Sequence, residues 1–335
     1  MAEFTRKNHI SPTLMILDGI SGSGKTMIMK FLDLLEGGHL PRFDYSLEQL
    51  LISQFYGKID PDALSTLLSL KIDQLLYDQS ISREVNLRPN DLSSVLRSTK
   101  RYRYLRQLLS SDQEFVFDAN EKKHECVTIV VHQLLSATRV LDKAYSGQIK
   151  RILCVRHPYY LYEHWLSYVR NFGENPRDFT VTVGEHGLPW FMNTNSGRVM
   201  NLSAEEKTAQ FLSRLILMQE EFISRCKNLL TIDFEKFVLG PTDYFNEIER
   251  YCEKKLVGNI GKILKREKIP RSHINSSREL AIYEKYSSKK LGAKYGHKED
   301  YELLRTSIQA RISKSSFTKI QEAAEVYESR FGVWF

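Results

Sequence analysis

Short apolar runs alternate with longer amphipathic stretches along the whole chain. Five runs have the length and composition of buried strands, at residues 13–18, 114–118, 127–131, 151–155 and 229–234. Apolar residues at helical spacing mark the stretches between them, at residues 25–36, 45–111, 134–144, 160–172, 204–227, 243–255 and 276–335. The alternation predicts an α/β fold with three layers, α/β/α, in which helices cover both faces of a central parallel sheet.

The chain reads as one domain, because no linker, repeat or low-complexity tract divides residues 1–335. Residues 45–111 are predicted to form a helical insert beside the sheet. Residues 276–335 are predicted to form a mostly helical C-terminal region with a surface rich in Tyr and Lys. The insert is interrupted at residues 88–91, where Asp91 is a candidate cap for a following helix at residues 92–96.

The turn after the first predicted strand carries the clearest chemical signal. Residues 19–26 read Gly-Ile-Ser-Gly-Ser-Gly-Lys-Thr between an apolar run and a helix, which is the full G-x-x-x-x-G-K-[ST] spacing of a phosphate-binding loop, or P-loop. The glycines let consecutive N–H groups point inward, and the helix N-terminus adds the positive end of its dipole. The residues expected to hold a phosphate group are Ser21, Gly22, Ser23, Gly24, Lys25, Thr26 and Met27.

Two further polar residues directly follow predicted strands. His132 comes after the run at 127–131, and Arg156 comes after the run at 151–155. Because ligands of parallel α/β sheets bind at the carboxyl ends of the strands, we expect the loop, His132 and Arg156 to share one site. Histidine titrates near neutral pH and suits general-base catalysis, and arginine binds phosphate through paired N–H bonds.

Three segments carry a family resemblance. They read Val-Thr-Ile-Val-Val-His-Gln-Leu-Leu at 127–135, Arg-Ile-Leu-Cys-Val-Arg-His-Pro at 151–158 and Trp-Leu-Ser-Tyr-Val-Arg-Asn-Phe at 165–172. With the loop and the strand, acidic turn and helix at 229–256, they resemble the sulfotransferases that use 3′-phosphoadenosine 5′-phosphosulfate (PAPS). In that family one strand ends in a catalytic histidine, and the next ends in an Arg-x-Pro sequence that binds the donor.

The resemblance implies a reaction and a role for each matched residue. PAPS would be the sulfuryl donor and 3′,5′-adenosine bisphosphate (PAP) the product, with no metal required. His132 would be the general base toward a hydroxyl or amine of a glycan or small molecule. Lys25 would stabilise the departing phosphate, and Arg156 would bind the 3′-phosphate of the donor.

The sequence departs from the family pattern at two points. The family's donor-binding serine, eight residues after the arginine, is His164 here, although a histidine can also bond a phosphate and Ser167 lies one turn further on. The loop lysine comes late, as in nucleotide kinases. A P-loop kinase, with Mg²⁺ held by Thr26 and Asp118, is therefore the main alternative. A nucleotide-binding regulatory protein without catalysis is a third interpretation.

The family also suggests where the remaining ligand contacts lie. A late basic loop closes over the 3′-phosphate in the family, which makes Arg271 and Arg278, on either side of residues 272–277, candidates for that contact. Arg88 and Asp91 in the helical insert, and Glu121 after it, are candidates for lining the acceptor site.

Composition narrows the classes of partner. The net charge of +7, from 48 basic and 41 acidic residues, suits a polyanionic donor and an anionic saccharide or other polar acceptor. No zinc-finger, homeodomain or RNP-type motif points to nucleic acid.

The four cysteines are scattered without metal spacing, which fits a reducing compartment. With no apolar signal core and no transmembrane run in the sequence, a cytoplasmic protein is expected. The oligomeric state is not predicted.

Overall fold

The computed structural model describes residues 10–89, 91, 93–110, 125–172, 182–183, 188–192, 199, 201–274 and 297–335. Their strands are β1 (Thr13–Gly19), β2 (Arg42–Phe43), β3 (Cys126–Val130), β4 (Ile149–Val155), β5 (Thr182–Val183), β6 (Leu188–Pro189) and β7 (Leu230–Asp233). Their α-helices are α1 (Lys25–Leu32), α2 (Tyr45–Phe55), α3 (Pro61–Ser80), α4 (Arg101–Leu108), α5 (Leu141–Ala144), α6 (Pro158–Arg170), α7 (Ala204–Arg225), α8 (Phe234–Leu239), α9 (Thr242–Cys252), α10 (Ile260–Glu267), α11 (His297–Gln309) and α12 (Lys314–Phe331). Short 3₁₀ helices cover Val95–Arg97, Leu135–Val140 and Trp190–Met192.

Five strands form one parallel sheet in the order β2-β3-β1-β4-β7. In the central strand β1, Leu14 pairs with Val127 of β3 on one side and with Ile149 of β4 on the other. Helices cover both faces, which is why β1, β3 and β4 are nearly continuous apolar runs without alternation. The predicted α/β fold with a central parallel sheet is confirmed. Strands β5 and β6 pair separately as a small antiparallel ribbon.

A hydrophobic core lies on each face of the sheet. Successive residues of β1 point to opposite faces, so Leu14 belongs to one core and Met15 to the other. The core around Leu14 takes in Trp165 of α6 and the apolar faces of α2, α3, α7 and α12. The core around Met15 takes in Phe31 of α1 and apolar residues of α8 and α10. This packing fixes the helix that follows the glycine-rich loop against the sheet.

The carboxyl ends of the parallel strands lie along one edge of the sheet. Strand β1 runs into the loop at Gly19, and β3 ends two residues before His132. Strand β4 ends directly before Arg156, and β7 ends at Asp233. The topology therefore gathers the loop and the predicted strand-end residues at this edge.

Several elements differ in detail from the sequence prediction. Helix α1 ends at Leu32, earlier than the predicted 36, and a turn continues the chain. The predicted helical insert is two long helices, α2 and α3, followed by turns and the short α4. The segment predicted as a helix at 134–144 begins as a 3₁₀ helix. The strand predicted at 114–118 lies outside the described residues.

Several short elements were not predicted, among them β2, the ribbon of β5 and β6, and the helices α8 and α10. Strand β2 has two residues, too few for any period in the sequence, and α8 follows β7 without a break. None of the helices that the structure describes combines the length and apolar character needed to cross a bilayer.

Candidate active site

Two glycines of the loop occupy conformations and spaces that other residues do not fit. Gly24, at the start of α1, has φ of 94°, and a Cβ added there would lie 2.4 Å from Cδ2 of Phe234. Gly22 has φ of 89°, and an added Cβ would lie 2.8 Å from Cδ2 of His164. Both φ values are in the left-handed region. The side chains of Phe234 and His164 therefore pack directly against the loop backbone, where glycine leaves room for them.

Lys25 is buried at the first position of α1. Its ammonium donates to the carbonyl oxygen of Gly19 at 2.5 Å and to that of Ile20 at 3.3 Å. Burial lowers the pKa of Lys25, while the nearby carboxylates of Asp18 and Glu48 act in the opposite direction. The lysine thus lies within the curve of the loop, bonded to two of its carbonyl oxygens.

Side chains from two neighbouring segments hold the loop at Ser21. The Ser21 hydroxyl lies 3.1 Å from Nε2 of His164, and the indole N–H of Trp165 donates to the Ser21 carbonyl at 2.9 Å. The side-chain oxygen of Gln133 accepts the Ser21 backbone N–H at 3.3 Å. Burial, together with the positive charges of Arg156 and Lys25, lowers the pKa of His164 to about 4. His164 is therefore a neutral hydrogen-bonding group at neutral pH.

Arg156 crosses from the end of β4 to the loop. Its Nη1 donates to the Gly22 carbonyl at 2.9 Å, and its guanidinium lies 4.3 Å from the centre of the Phe234 ring. Nε of Arg156 lies 4.0 Å from Oε1 of the buried Glu235. Burial lowers the pKa of Arg156, and Glu235 offsets part of that effect. The arginine is thereby fixed beside the phosphate loop.

Arg271 approaches the same aromatic ring. Its guanidinium lies 5.7 Å from the centre of Phe234, and its backbone N–H donates to Val238 at 2.7 Å. Burial and the positive charge of Arg156 lower the pKa of Arg271 to about 10. Two guanidinium groups therefore lie close enough to repel each other, an arrangement that an anion with two charges would stabilise.

A buried polar network supports Arg156 from the C-terminal helix. The carboxyl group of Glu235 forms hydrogen bonds with the backbone N–H of His157 at 3.2 Å and the hydroxyl of Tyr327 at 2.9 Å. Burial and the neighbouring Asp233 raise the pKa of Glu235 to about 8. The imidazole of His157 lies 3.0 Å from a carboxylate oxygen of Glu328. Helix α12 therefore bonds to Glu235 through Tyr327 and to His157 through Glu328.

His132 is held by a carboxylate and two aromatic rings. Its Nδ1 lies 2.9 Å from Oε1 of Glu48, and its backbone N–H donates to the same oxygen at 2.8 Å. The imidazole stacks on Phe43 at 5.0 Å and lies parallel to Tyr45 at 5.8 Å between ring centres. With Nδ1–H donating to Glu48, the Nε2 lone pair can accept a proton. The side chain is 29% exposed.

His132 is joined to the loop through the next residue. The backbone N–H of Gln133 donates to the Gly19 carbonyl at 3.2 Å, and its side chain accepts from Ser21. Gln133 has φ of 43°, which turns the chain sharply after β3. The structure thus brings together the predicted loop, His132, Arg156, His164 and Arg271.

The remaining predicted residues have other surroundings or are not described. Asp91 accepts hydrogen bonds from the backbone and the hydroxyl of Ser93, as a capping residue does, and the helix predicted at 92–96 is the 3₁₀ turn Val95–Arg97. The backbone N–H of the exposed Arg88 donates to Asn86. That Arg88 and Asp91 bind an acceptor stays a prediction. Outside the described residues lie Asp118, Glu121 and Arg278.

Sequence reasoning missed Glu48, Phe234 and Glu235. Glu48 had a usable signal, since it falls on the buried stripe of α2 beside Leu47 and Leu51. A charged residue on a core-facing stripe needs a partner, and that partner is His132. Phe234 and Glu235 stood in a segment that resembles the family's acidic turn, but nothing in the sequence showed that they approach Arg156.

The donor groups of this site fit a ligand with phosphate groups at two places. One place is the loop, where the buried Ser23 hydroxyl has no hydrogen-bond partner among the described atoms. The other is the pair Arg156 and Arg271. In the described part of the chain, no cluster of three His, Cys, Asp or Glu side chains has the arrangement of a metal site.

Comparisons with known proteins return distant likenesses among solved structures. One is the sulfotransferase domain of the Synechococcus PCC 7002 olefin synthase, at 12% identity and a TM-score of 0.41, covering 97% of this chain and 98% of that one. The sulfotransferase domain of the curacin biosynthetic pathway has 13% identity and a TM-score of 0.42, covering 94% and 98%. Sulfotransferase STF9 from Mycobacterium avium has 12% identity and a TM-score of 0.42, covering 97% and 78%.

No protein-family model and no curated protein matches the sequence.

Proposed function

We propose that this protein is a PAPS-dependent sulfotransferase that transfers a sulfuryl group to a hydroxyl or amine of a saccharide or small-molecule acceptor. The observation that carries the proposal is the pair of guanidiniums, Arg156 and Arg271, around Phe234 beside Gly24 of the phosphate loop. PAPS has one phosphate group at the 5′ position and another at the 3′ position. ATP carries its phosphates in a single chain, so in a P-loop kinase Arg156 or Arg271 would serve as a charge clamp on that chain, whereas a 3′-phosphate engages both arginines.

His132 is the general base in this proposal. With Nδ1–H held by Glu48, Nε2 takes the proton of the acceptor hydroxyl or amine, and the carboxylate stabilises the imidazolium that forms. The stacked rings of Phe43 and Tyr45 keep the imidazole in one plane. The partial exposure of His132 leaves a path for the acceptor to approach.

The positive groups of the loop neutralise charge on the leaving side. When bound, PAPS supplies the sulfuryl group and leaves as PAP. Lys25 and the N–H groups at the start of α1 stabilise the negative charge that develops on the phosphate. Arg156 and Arg271 hold the 3′-phosphate, and His164, neutral at physiological pH, orients Ser21 beside it. Arg278 and Ser167 remain candidates for further contacts.

The proposal also extends to the setting of the reaction. The four cysteines are free thiols, and three of them are buried. This usage supports a reducing compartment, and we place the reaction in the cytoplasm. The positive net charge of +7 favours a polar or anionic acceptor. No step in this scheme needs a metal ion.

The test of the proposal is the choice of nucleotide. We expect PAP to raise the melting temperature of the purified protein and ATP with Mg²⁺ to leave it unchanged, because a ligand stabilises the state it binds. Arg156→Ala should lose the PAP response. Arg225→Ala, at an exposed ion pair on α7, should keep it. Turnover of PAPS can then be followed with a panel of acceptors.

The opposite result identifies the alternative enzyme. A response to ATP with Mg²⁺ alone, weakened by Asp118→Ala, would overturn the sulfotransferase proposal and establish a kinase. A response to both nucleotides without any transfer to acceptors would instead point to a nucleotide-binding regulatory protein.

A further inference from the structure

Helix α4 turns a partly apolar stripe toward solvent. Tyr102 is 71% exposed, and Leu109, which caps the helix, is 85% exposed. The two residues are seven positions apart and lie on the same side of the helix, as do Leu105 and Arg106 between them. A surface helix of a globular protein normally presents polar residues on this side. The outward side of α4 therefore carries exposed apolar residues in addition to the polar residues expected there.

The inward side of α4 is held by a few directed contacts. The buried Tyr104 accepts the backbone N–H of Leu40 at 2.9 Å, and Gln107 donates to the Ser80 carbonyl at 2.7 Å. Before the helix, Lys100 donates to two carbonyl oxygens at 2.9 and 2.6 Å. The exposed side chains contribute nothing to these anchors. Their substitution should therefore leave the position of α4 unchanged.

Arginines lie on the exposed stripe and beside it. Arg101, Arg103 and Arg106 are exposed, and residues 92–110 contain no acidic residue. The Arg101 guanidinium lies 4.8 Å from the centre of the Tyr102 ring. The surface of α4 thus combines local positive charge with an exposed aromatic ring and an exposed leucine.

We propose that helix α4 docks on the surface of an anionic lipid bilayer. The arginines would meet anionic headgroups while Leu109 and Tyr102 enter the boundary between headgroups and acyl chains. Long arginine side chains keep their charge at the headgroups while their stems cover apolar surface. A second copy of the chain is a poor partner, because like charges would face each other. A nucleic acid or sulfated polysaccharide would satisfy the arginines but leave Leu109 exposed.

The position of α4 gives the docked protein a definite orientation. Lys100 donates to the carbonyls of Leu35 and Gly38, and Gly38 bridges to Cys126, the first residue of β3. His132 follows the other end of the same strand. Docking through α4 would therefore hold the candidate active site away from the bilayer, facing water. The inference does not depend on which reaction the protein catalyses.

Co-sedimentation of the full-length protein with vesicles tests the charge component. We expect binding to phosphatidylcholine vesicles that contain phosphatidylserine, weaker binding as salt rises, and none to phosphatidylcholine alone. Combining Arg101→Glu, Arg103→Glu and Arg106→Glu should weaken binding by roughly a hundredfold. The matched control combines Lys298→Glu, Lys314→Glu and Lys319→Glu, which changes the net charge equally on α11 and α12 and should have a much smaller effect.

A second pair of variants tests the apolar component. Tyr102→Ser combined with Leu109→Ser should weaken vesicle binding by about tenfold or more. Leu303→Ser, at a half-exposed leucine of α11, should not. Melting temperatures report whether each variant folds. Absence of binding to the phosphatidylserine vesicles would overturn the proposal. Unchanged binding by the Tyr102 and Leu109 variant would also overturn it and identify a site for polyanions such as heparin or nucleic acid.

Discussion

Nδ1 of His132 and Oε1 of Glu48 lie 2.9 Å apart, and the same oxygen accepts the backbone N–H of His132 at 2.8 Å. One carboxylate oxygen therefore fixes both the ring and the chain of a single residue. It also selects the tautomer in which Nε2 is basic. Because Glu48 lies on α2, the helical insert holds the strand-end histidine in position.

Glu48→Gln should slow turnover while leaving donor binding intact. A neutral amide accepts the same hydrogen bonds but stabilises the imidazolium less. We expect kcat to fall by about tenfold to a hundredfold, less than the hundredfold or greater loss expected for His132→Ala. The dissociation constant of PAP should change little in either variant. Steady-state kinetics and a PAP titration measure the two effects separately.

Two outcomes would contradict this assignment. An unchanged kcat in His132→Ala would remove the histidine from the reaction. A Glu48→Gln variant that loses PAP affinity in proportion to kcat would show that Glu48 acts on the loop, where it lies near Lys25, and not on the base.

Gly24→Ala should disrupt the loop through two separable effects. The first is backbone strain, since φ is 94° there, and the second is a contact of 2.4 Å between the added Cβ and the Phe234 ring. Gly57 has φ of 64° and nothing within 4 Å of an added Cβ, so Gly57→Ala reports strain alone. We expect Gly57→Ala to lower the free energy of unfolding by about 1–2 kcal/mol and Gly24→Ala to lower it by more.

A double variant isolates the contact. Adding Phe234→Ala to Gly24→Ala should recover part of the lost stability, because the ring is no longer in the way. PAP affinity should not recover, since the two guanidiniums lose the ring beside which they lie. Chemical denaturation and PAP titration of the three variants check this. Additive effects of Gly24→Ala and Phe234→Ala would exclude the contact as the cause.

Strong local patterns made the central fold and half of the site predictable. The apolar runs that became β1, β3, β4 and β7 are buried on both faces, so each reads as strand without knowledge of its neighbours. Parallel strands align their carboxyl ends, and that geometry alone places His132 and Arg156 near the loop.

What the sequence could not provide is contact across long separations. Phe234 meets Gly24, and Tyr327 meets Glu235, through the packing of α1, α8 and α12. No local period encodes those pairs. The two-residue strand β2, whose Phe43 stacks on His132, is likewise defined only by its pairing with β3.

His164 should make the folded protein less stable as the pH decreases. Its pKa is lowered in the folded protein to about 4 from 6.5, so the unfolded chain binds the proton first. The associated stability is present above about pH 6.5 and is lost as the pH falls toward 4. His164→Gln removes this pH-dependent contribution to the free energy of unfolding, which amounts to at most roughly 3 kcal/mol.

Urea denaturation across this pH range checks the His164 prediction. The wild type should lose more stability than His164→Gln between neutral and acidic pH. His157, whose pKa is also lowered by burial, contributes to both proteins equally and cancels in the comparison. Parallel pH profiles for the two proteins would show that His164 keeps its ordinary pKa.

Glu235 should give the opposite dependence on pH. Its pKa is raised to about 8 from 4.5, so the folded protein holds a proton that the unfolded chain releases. The stability contribution is complete below about pH 4.5 and is lost as the pH rises through about 8. Glu235→Gln stays neutral and can still accept the His157 N–H while its amide donates to Tyr327. Between neutral and alkaline pH, the wild type should therefore lose stability relative to this variant, by more than about 1 kcal/mol. Urea denaturation measures the difference. If the variant and the wild type lose the same stability over this pH range, Glu235 is charged at every pH measured and stays paired with Arg156.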